Sequence, residues 1–125
     1  MEKTIFVVDD CSFSLIVAED ALGKHFNLIT LSSAAKMFKA LNRITPDLIL
    51  LDVEMPEMTG YEAIKQLMEN DSHSKIPILF LSGMTDPADK AYGLGLGAKS
   101  FITKPFNTSA LLNEVNNHIT GTPRG

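Results

Sequence analysis

Charged and hydroxyl side chains follow four of the five apolar runs in this sequence. Asp9 and Asp10 follow "IFVV", Asp52 follows "LILL", Ser82 follows "ILFL" and Lys104 follows "SFIT". Carboxylates are the oxygen ligands of a hard divalent cation, Mg²⁺ above all. A hydroxyl and an ammonium group opposite such a cation could bind the oxygens of a phosphoryl group. If that group were transferred to a carboxylate, Asp52 would be the nucleophile.

The five runs predict five β-strands that would bring these residues together. Three of the runs are nearly continuous in Ile, Leu, Val and Phe, which is typical of strands covered on both faces of a parallel sheet. Right-handed crossovers through helices then give an α/β fold, a (βα)5 doubly wound sheet with helices on both faces. Ligands of such sheets bind beyond the carboxyl ends of the strands. The predicted strands are 4–10, 26–31, 47–52, 76–82 and 99–105.

The first predicted helix spans about Ser12 to Lys24 and follows the single cysteine, Cys11. One cysteine permits no internal disulfide, and we expect Cys11 to be buried or half-buried. Four apolar residues of the helix recur at helical spacing and are expected to face the core. They are Phe13, Ile16, Val17 and Ala21.

The later helices carry recognisable capping signals. Thr59 and Glu62 predict a capping box at the start of the third helix. Asp86 and Pro87 predict the cap and first turn of the fourth. Because "GLGLG" lies in or at the end of this fourth helix, we expect it to be the least stable. The last helix is predicted over 107–120.

Composition limits the function classes. A chain of 125 residues with 45% hydrophobic residues is the size of one domain. The net charge of −4 disfavours binding to nucleic acid through its phosphates. The apolar runs are too short to span a membrane, and "MEKTIF" has no signal-peptide pattern. We therefore expect a cytoplasmic protein.

Four motifs together resemble the CheY-like receiver domains of two-component response regulators. They are "VVDD" at 7–10, "LLDVEMPEMTGYE" at 50–62, "LS" at 81–82 and "GAKSFITKPF" at 97–106. The resemblance covers essentially the whole chain. It implies the flavodoxin-like strand order 2-1-3-4-5. We expect the receiver domain to cover residues 1–120, and 121–125 to be a tail or the start of a linker.

The resemblance also implies a role for each acidic residue. Asp52 would accept a phosphoryl group from a histidine kinase or a phosphotransfer protein. Asp9, Asp10 and Asp52 would hold Mg²⁺ together with the backbone carbonyl of Glu54. The domain would thus be a signalling module rather than an enzyme, one that becomes phosphorylated from a donor and loses the group slowly.

The same resemblance implies how the signal leaves the site. Ser82 and Lys104 would bind phosphoryl oxygens, and Phe101 occupies the aromatic switch position. Pro105 would follow a cis peptide bond. The face made by helix 4, strand 5 and helix 5 would then control a downstream effector protein or a fused output domain, and a phosphorylation-dependent dimer is a further possibility.

Two other classes remain alternatives. A haloacid-dehalogenase-like phosphatase also uses an aspartate nucleophile and Mg²⁺, but it needs a second aspartate two residues later, where this chain has "DVE". A flavodoxin-like cofactor binder needs a Ser, Thr or Gly phosphate loop after its first strand, where this chain has "DDCSFS". Such a binder would be yellow from bound flavin.

Overall fold

Five strands alternate with five helices in the computed structural model, which describes residues 2–119. The (βα)5 order expected from the sequence is confirmed. The predicted tail, 121–125, and the predicted helix end at residue 120 lie outside the described residues. The strands are β1 (Thr4–Val8), β2 (Asn27–Leu31), β3 (Leu48–Asp52), β4 (Ile78–Ser82) and β5 (Ser100–Thr103). The helices are α1 (Ser12–Leu22), α2 (Ala34–Leu41), α3 (Gly60–Glu69), α4 (Pro87–Gly95) and α5 (Thr108–Ile119).

The strands form one parallel sheet in the order β2-β1-β3-β4-β5, as predicted. The three central strands, β1, β3 and β4, are almost completely buried, whereas β2 and β5 at the edges are partly exposed. This burial explains the continuous apolar runs, because both faces of a central strand need apolar side chains.

Helices cover both faces of the sheet, which gives the core two layers. On one face, residues of α1 and α5 pack against β1, β3 and β4. On the other face, α2 and α3 pack against the opposite side chains of the same strands. The carboxyl ends of all five strands are thereby left at one edge of the sheet. In residues 2–119 no helix is both long and apolar enough to cross a bilayer.

The prediction of which residues of α1 face the core is wrong for Phe13 and Ile16. Phe13 is 69% exposed and Ile16 is 63% exposed, whereas Ala21 is buried as expected. Helix α1 is apolar nearly all the way round, so residue spacing does not determine which side faces the core. Small side chains allow α1 to pack closely, and the residues that it buries are Ser14, Ala18, Ala21 and Leu22.

The capping predictions are confirmed. The Thr59 side chain accepts the Glu62 N–H at 3.2 Å, and the Glu62 carboxylate accepts the Thr59 N–H at 2.9 Å. Asp86 caps α4 by accepting the N–H of Ala88 at 2.9 Å, with Pro87 in the first turn. These caps mark the starts of α3 and α4, the helices that follow the loops after β3 and β4.

Candidate functional site

The carboxyl edge of the sheet brings the five chemically active residues together. Asp52 ends β3 and Ser82 ends β4, while Asp9 and Lys104 directly follow β1 and β5. Asp9 and Asp52 are buried, whereas Asp10 is exposed. Carboxylate oxygens of the three aspartates lie within 4.8 Å of one another.

Lys104 provides the cationic contact of this cluster. Its Nζ lies 2.7 Å from Asp9 Oδ2 and 3.2 Å from Asp52 Oδ1. Burial alone would lower the pKa of Lys104, but its contact with Asp9 and the charges of Asp52 and Asp9 outweigh that effect and raise the pKa. The side chain therefore stays protonated and partly neutralises the two buried carboxylates.

Asp52 is held in an environment that disfavours its ionised form. Burial, followed by the negative charge of Asp9, raises the pKa of Asp52 from 3.8 to about 7, even though Lys104 acts in the opposite direction. A carboxyl group in this position titrates near neutral pH. A cation bound beside it would favour the charged form.

The oxygen atoms of the cluster fit a hard divalent cation. Asp9 Oδ2 is buried and accepts no well-oriented hydrogen bond from the described residues, so its 2.7 Å contact with Lys104 is an ion pair. Asp9 Oδ1 is oriented by the N–H of Cys11 at 2.9 Å. A few carboxylates with room for water suit the coordination that Mg²⁺ prefers. Glu54 lies exposed in the loop after β3.

Cys11 corrects one expectation from the sequence. The residue is exposed at the start of α1, so the prediction that it is buried or half-buried is wrong. Its backbone N–H donates to Asp9 Oδ1 at 2.9 Å, while its side chain is exposed.

Ser82 is fully buried, and the hydrogen bond that it accepts leaves its proton available. Its Oγ accepts the N–H of Met84 at 2.9 Å. No acceptor for the hydroxyl proton is found among residues 2–119. The hydroxyl can therefore donate to an oxygen that arrives at the site. The peptide bond between Lys104 and Pro105 is cis, as the family resemblance implied.

Phe101 lies beneath α4 and packs against the hydrophobic core of the domain. Its ring is 6.0 Å from that of Phe80, the residue opposite it on β4. A Cβ at Gly93 would lie 3.1 Å from Phe80 and 3.3 Å from Phe101, so the missing side chain lets α4 lie directly on both rings. The sequence pointed to low helix propensity at this glycine but gave no sign of the close approach.

An aromatic contact also joins α3 to α4. The hydroxyl of Tyr61 donates to the backbone carbonyl of Asp89 at 3.2 Å. The Tyr61 ring meets those of Tyr92 and Phe80 edge to face, at 4.9 and 5.2 Å. Movement of α4 would therefore have to break or adjust contacts with α3 as well as with β5.

The sequence analysis also did not identify Gly60 as a residue that supports the site. A Cβ at this position would overlap the backbone carbonyl oxygen of Asp52. The Gly60 N–H donates to the carbonyl of Val53 at 2.8 Å. Helix α3 therefore begins in direct contact with the backbone that carries Asp52.

Comparison with known proteins identifies the family. The model of the response regulator receiver domain matches residues 5–116. A probable cyclic di-GMP phosphodiesterase of Vibrio cholerae is 34% identical over 93% of this chain, which covers 26% of that protein. The cell cycle response regulator CtrA of Brucella ovis is 33% identical over 90% of this chain, which covers 48% of CtrA.

A solved structure agrees in fold and in extent. The chemotaxis protein CheY4 of Vibrio cholerae has a TM-score of 0.86 and 28% identity, with 94% of this chain and 98% of that chain covered. By contrast, this chain spans between about a quarter and about half of the length of the curated relatives that it matches. Neither the phosphatase nor the flavodoxin alternative gains support from these proteins. The chain belongs to the receiver-domain family of response regulators.

Proposed function

We propose that this receiver domain accepts a phosphoryl group on Asp52 and passes the signal on by reshaping the surface around α4 and β5. The observation that carries the proposal is the position of the Asp52 carboxylate. It is buried, 3.2 Å from the ammonium group of Lys104, and grouped with two further carboxylates. Lys104 and Ser82 are the residues available to bind phosphoryl oxygens beside it.

The environment of each aspartate supports the choice of Asp52 as acceptor. Asp9 already uses Oδ1 for the Cys11 N–H and Oδ2 for Lys104. Asp10 is exposed, where a carboxylate is well solvated. Asp52 contacts Lys104 through Oδ1, which leaves Oδ2 for bond formation.

The proposed transfer is a displacement at phosphorus. A carboxylate oxygen of Asp52 attacks the phosphohistidine of a histidine kinase or phosphotransfer protein. The new O–P bond forms as the P–N bond breaks, and the electron pair returns to the imidazole nitrogen. Lys104 and the hydroxyl of Ser82 then bind two oxygens of the phosphoryl group.

Mg²⁺ is the proposed cofactor. Asp9, Asp10 and Asp52 would hold it, with the Glu54 carbonyl as the fourth protein ligand. When bound, Mg²⁺ supplies positive charge that offsets the carboxylates and the phosphoryl group. Its presence would also lower the pKa of Asp52 and so favour the nucleophilic form.

The lifetime and the destination of the signal are further parts of the proposal. Glu54 adds negative charge near the phosphoryl group and Met84 cannot orient an attacking water molecule, so we expect slow hydrolysis. The output would be an effector protein, a fused output domain or a phosphorylation-dependent dimer. The cytoplasmic location stays a prediction.

The acceptor assignment can be tested with a small phosphodonor. The protein is incubated with acetyl phosphate and Mg²⁺, and intact-mass spectrometry measures the phosphoryl adduct. Asp52→Asn should abolish the adduct, and Asp71→Asn, at an exposed loop residue, should leave it unchanged. An undiminished adduct on Asp52→Asn would contradict the assignment.

The cofactor can be tested separately by calorimetry. Asp10→Asn should weaken Mg²⁺ binding while preserving or raising the metal-free melting temperature, because it removes charge repulsion at the edge. Asp71→Asn is again the matched control. Unchanged Mg²⁺ affinity in Asp10→Asn would remove this residue from the ligand set.

A further inference from the structure

Acidic and basic residues are unevenly distributed along this chain. Residues 21–46 contain four of the eleven Lys and Arg residues and no Asp or Glu. All fifteen acidic residues therefore lie outside a segment that forms β2, α2 and the turns around them. A domain with a net charge of −4 thus has one stretch of sequence, residues 21–46, whose only charged side chains apart from histidine are basic.

Within this region the structure contains a groove of about 410 Å³ between the end of β2 and α2. Its lining combines apolar and basic side chains. Ile44 is 40% exposed and so presents apolar surface to solvent in this groove. The apolar lining is Leu31, Ala40 and Ile44, and the basic lining is Lys36, Lys39 and Arg43.

In the described part of the domain, the cations of this basic groove have no carboxylate partners. Lys36 Nζ contacts the hydroxyl of Ser32 at 2.9 Å. Among residues 2–119, none of the three cations forms an ion pair with an acidic residue. Lys36 and Lys39 lie three residues apart on α2 and so share one side of the helix, and Arg43 lies in the turn directly after the helix.

We propose that the basic groove binds an acidic amphipathic helix of a partner protein. The apolar lining would take the aliphatic side chains of that helix, and the row of cations would meet carboxylates spaced three or four residues apart. Opposite charges would also fix the register of the helix and speed its association.

The charge of the whole domain favours a short acidic protein segment over a large polyanion. Electrostatic interactions fade over about 8 Å at physiological salt, so a helix in the groove experiences mainly the local cations. A membrane surface or a nucleic acid would also face the acidic remainder of the domain. Among the residues that the structure describes, no aromatic side chain lines the groove for stacking against bases.

The basic groove lies far from the surface that would change on phosphorylation. Strands β2 and β5 are at opposite edges of the five-stranded sheet, roughly 19 Å apart at the usual strand spacing. A partner could therefore bind here while Asp52 and the α4–β5 surface stay accessible. The proposal does not depend on phosphoryl transfer.

The test uses a synthetic helical peptide with Leu at positions spaced by three and four and Glu on the flanks. Amide chemical shifts locate the contact, and fluorescence anisotropy measures the affinity. We expect shifts concentrated at residues 31–44. Lys39→Glu should weaken binding by roughly fivefold, because it reverses one rim charge. Lys24→Glu, an equal charge change in the same acid-free segment but outside the groove, should bind like the wild type.

Three results would overturn the proposal. The first is an absence of shifts at 31–44 at millimolar peptide. The second is equal binding of a peptide in which each Glu is replaced by Lys. The third is preferential binding of anionic vesicles or of an oligonucleotide. Phosphorylation of Lys39→Glu by acetyl phosphate should be normal, which separates this test from that of the acceptor.

Discussion

The ammonium group of Lys104 lies 2.7 Å from Oδ2 of Asp9, which joins the end of β5 to the end of β1 across the two strands between them. Lys104→Met would leave Asp9 and Asp52 buried without this partner. We expect the free energy of unfolding at pH 8 to fall by about 1–3 kcal/mol. Urea denaturation measures the change, with the exposed Lys99→Met as the control. Equal stabilities of the two variants would mean that this ion pair has no net effect.

The raised pKa of Asp52 predicts a specific pH dependence of stability in EDTA. The pKa of Asp52 in the folded state, about 7, exceeds the ordinary 3.8. Between these two pH values Asp52 is therefore protonated in the folded protein and ionised in the unfolded chain. The stability from this group is therefore complete below about pH 4 and is lost as pH rises through about 7, by at most about 1.4 kcal/mol per pH unit. Asp52→Asn should lack this loss and should be the more stable protein at pH 8. Parallel stability profiles for the two proteins from pH 5 to 8 would contradict the pKa assignment.

Two glycines of α4 should respond in opposite ways to alanine. Gly95 has no atom within 4 Å of the position that a Cβ would take, so Gly95→Ala should raise the free energy of unfolding by up to about 1 kcal/mol. At Gly93 the same change would press on the rings of Phe80 and Phe101, and we expect it to lower stability despite better helix propensity. Thermal denaturation compares the pair directly. A similar gain at both positions would mean that α4 does not depend on the close contact at Gly93.

Ser82 and Phe101 should couple the acceptor to the α4–β5 surface. When a phosphoryl oxygen accepts the free hydroxyl proton of Ser82, the loop after β4 is drawn towards the site and Phe101 can follow it. Ser82→Ala should therefore still accept beryllofluoride at Asp52 but lose the response of residues 87–106, and Phe101→Ala should behave alike. Amide chemical shifts with and without beryllofluoride measure that response. A wild-type response of 87–106 in Ser82→Ala would exclude this route.

Much of the fold and the positions of the site residues could be predicted because they depend on strong local patterns. The runs "IFVV", "LILL" and "ILFL" fill central strands, and parallel pairing places whatever follows them at one edge. The capping box of Thr59 and Glu62 is similarly local, since both partners lie within one turn.

What could not be predicted depends on contacts between distant segments. The exposed position of Phe13 and Ile16 depends on how closely α1 approaches the sheet. The sequence of a helix with apolar residues on most sides does not indicate which side will face the core. Close contact at Gly93 depends on rings from two other strands. The sequence placed Lys104 at the edge of the sheet, but its two ion pairs with Asp9 and Asp52 depend on where three chain segments end and were not predicted.

The close approach of Gly60 to the Asp52 carbonyl means that the position of the proposed acceptor and the start of α3 cannot vary independently. Any side chain at position 60 would force one of two rearrangements, because the helix would have to retreat or the end of β3 would have to shift. A shift of β3 would move Asp52 itself, and a retreat of the helix would remove the support that α3 gives to the backbone of Asp52. Transplanting this proposed phosphorylation site onto another sheet would therefore require the glycine and its helix as well as the charged residues.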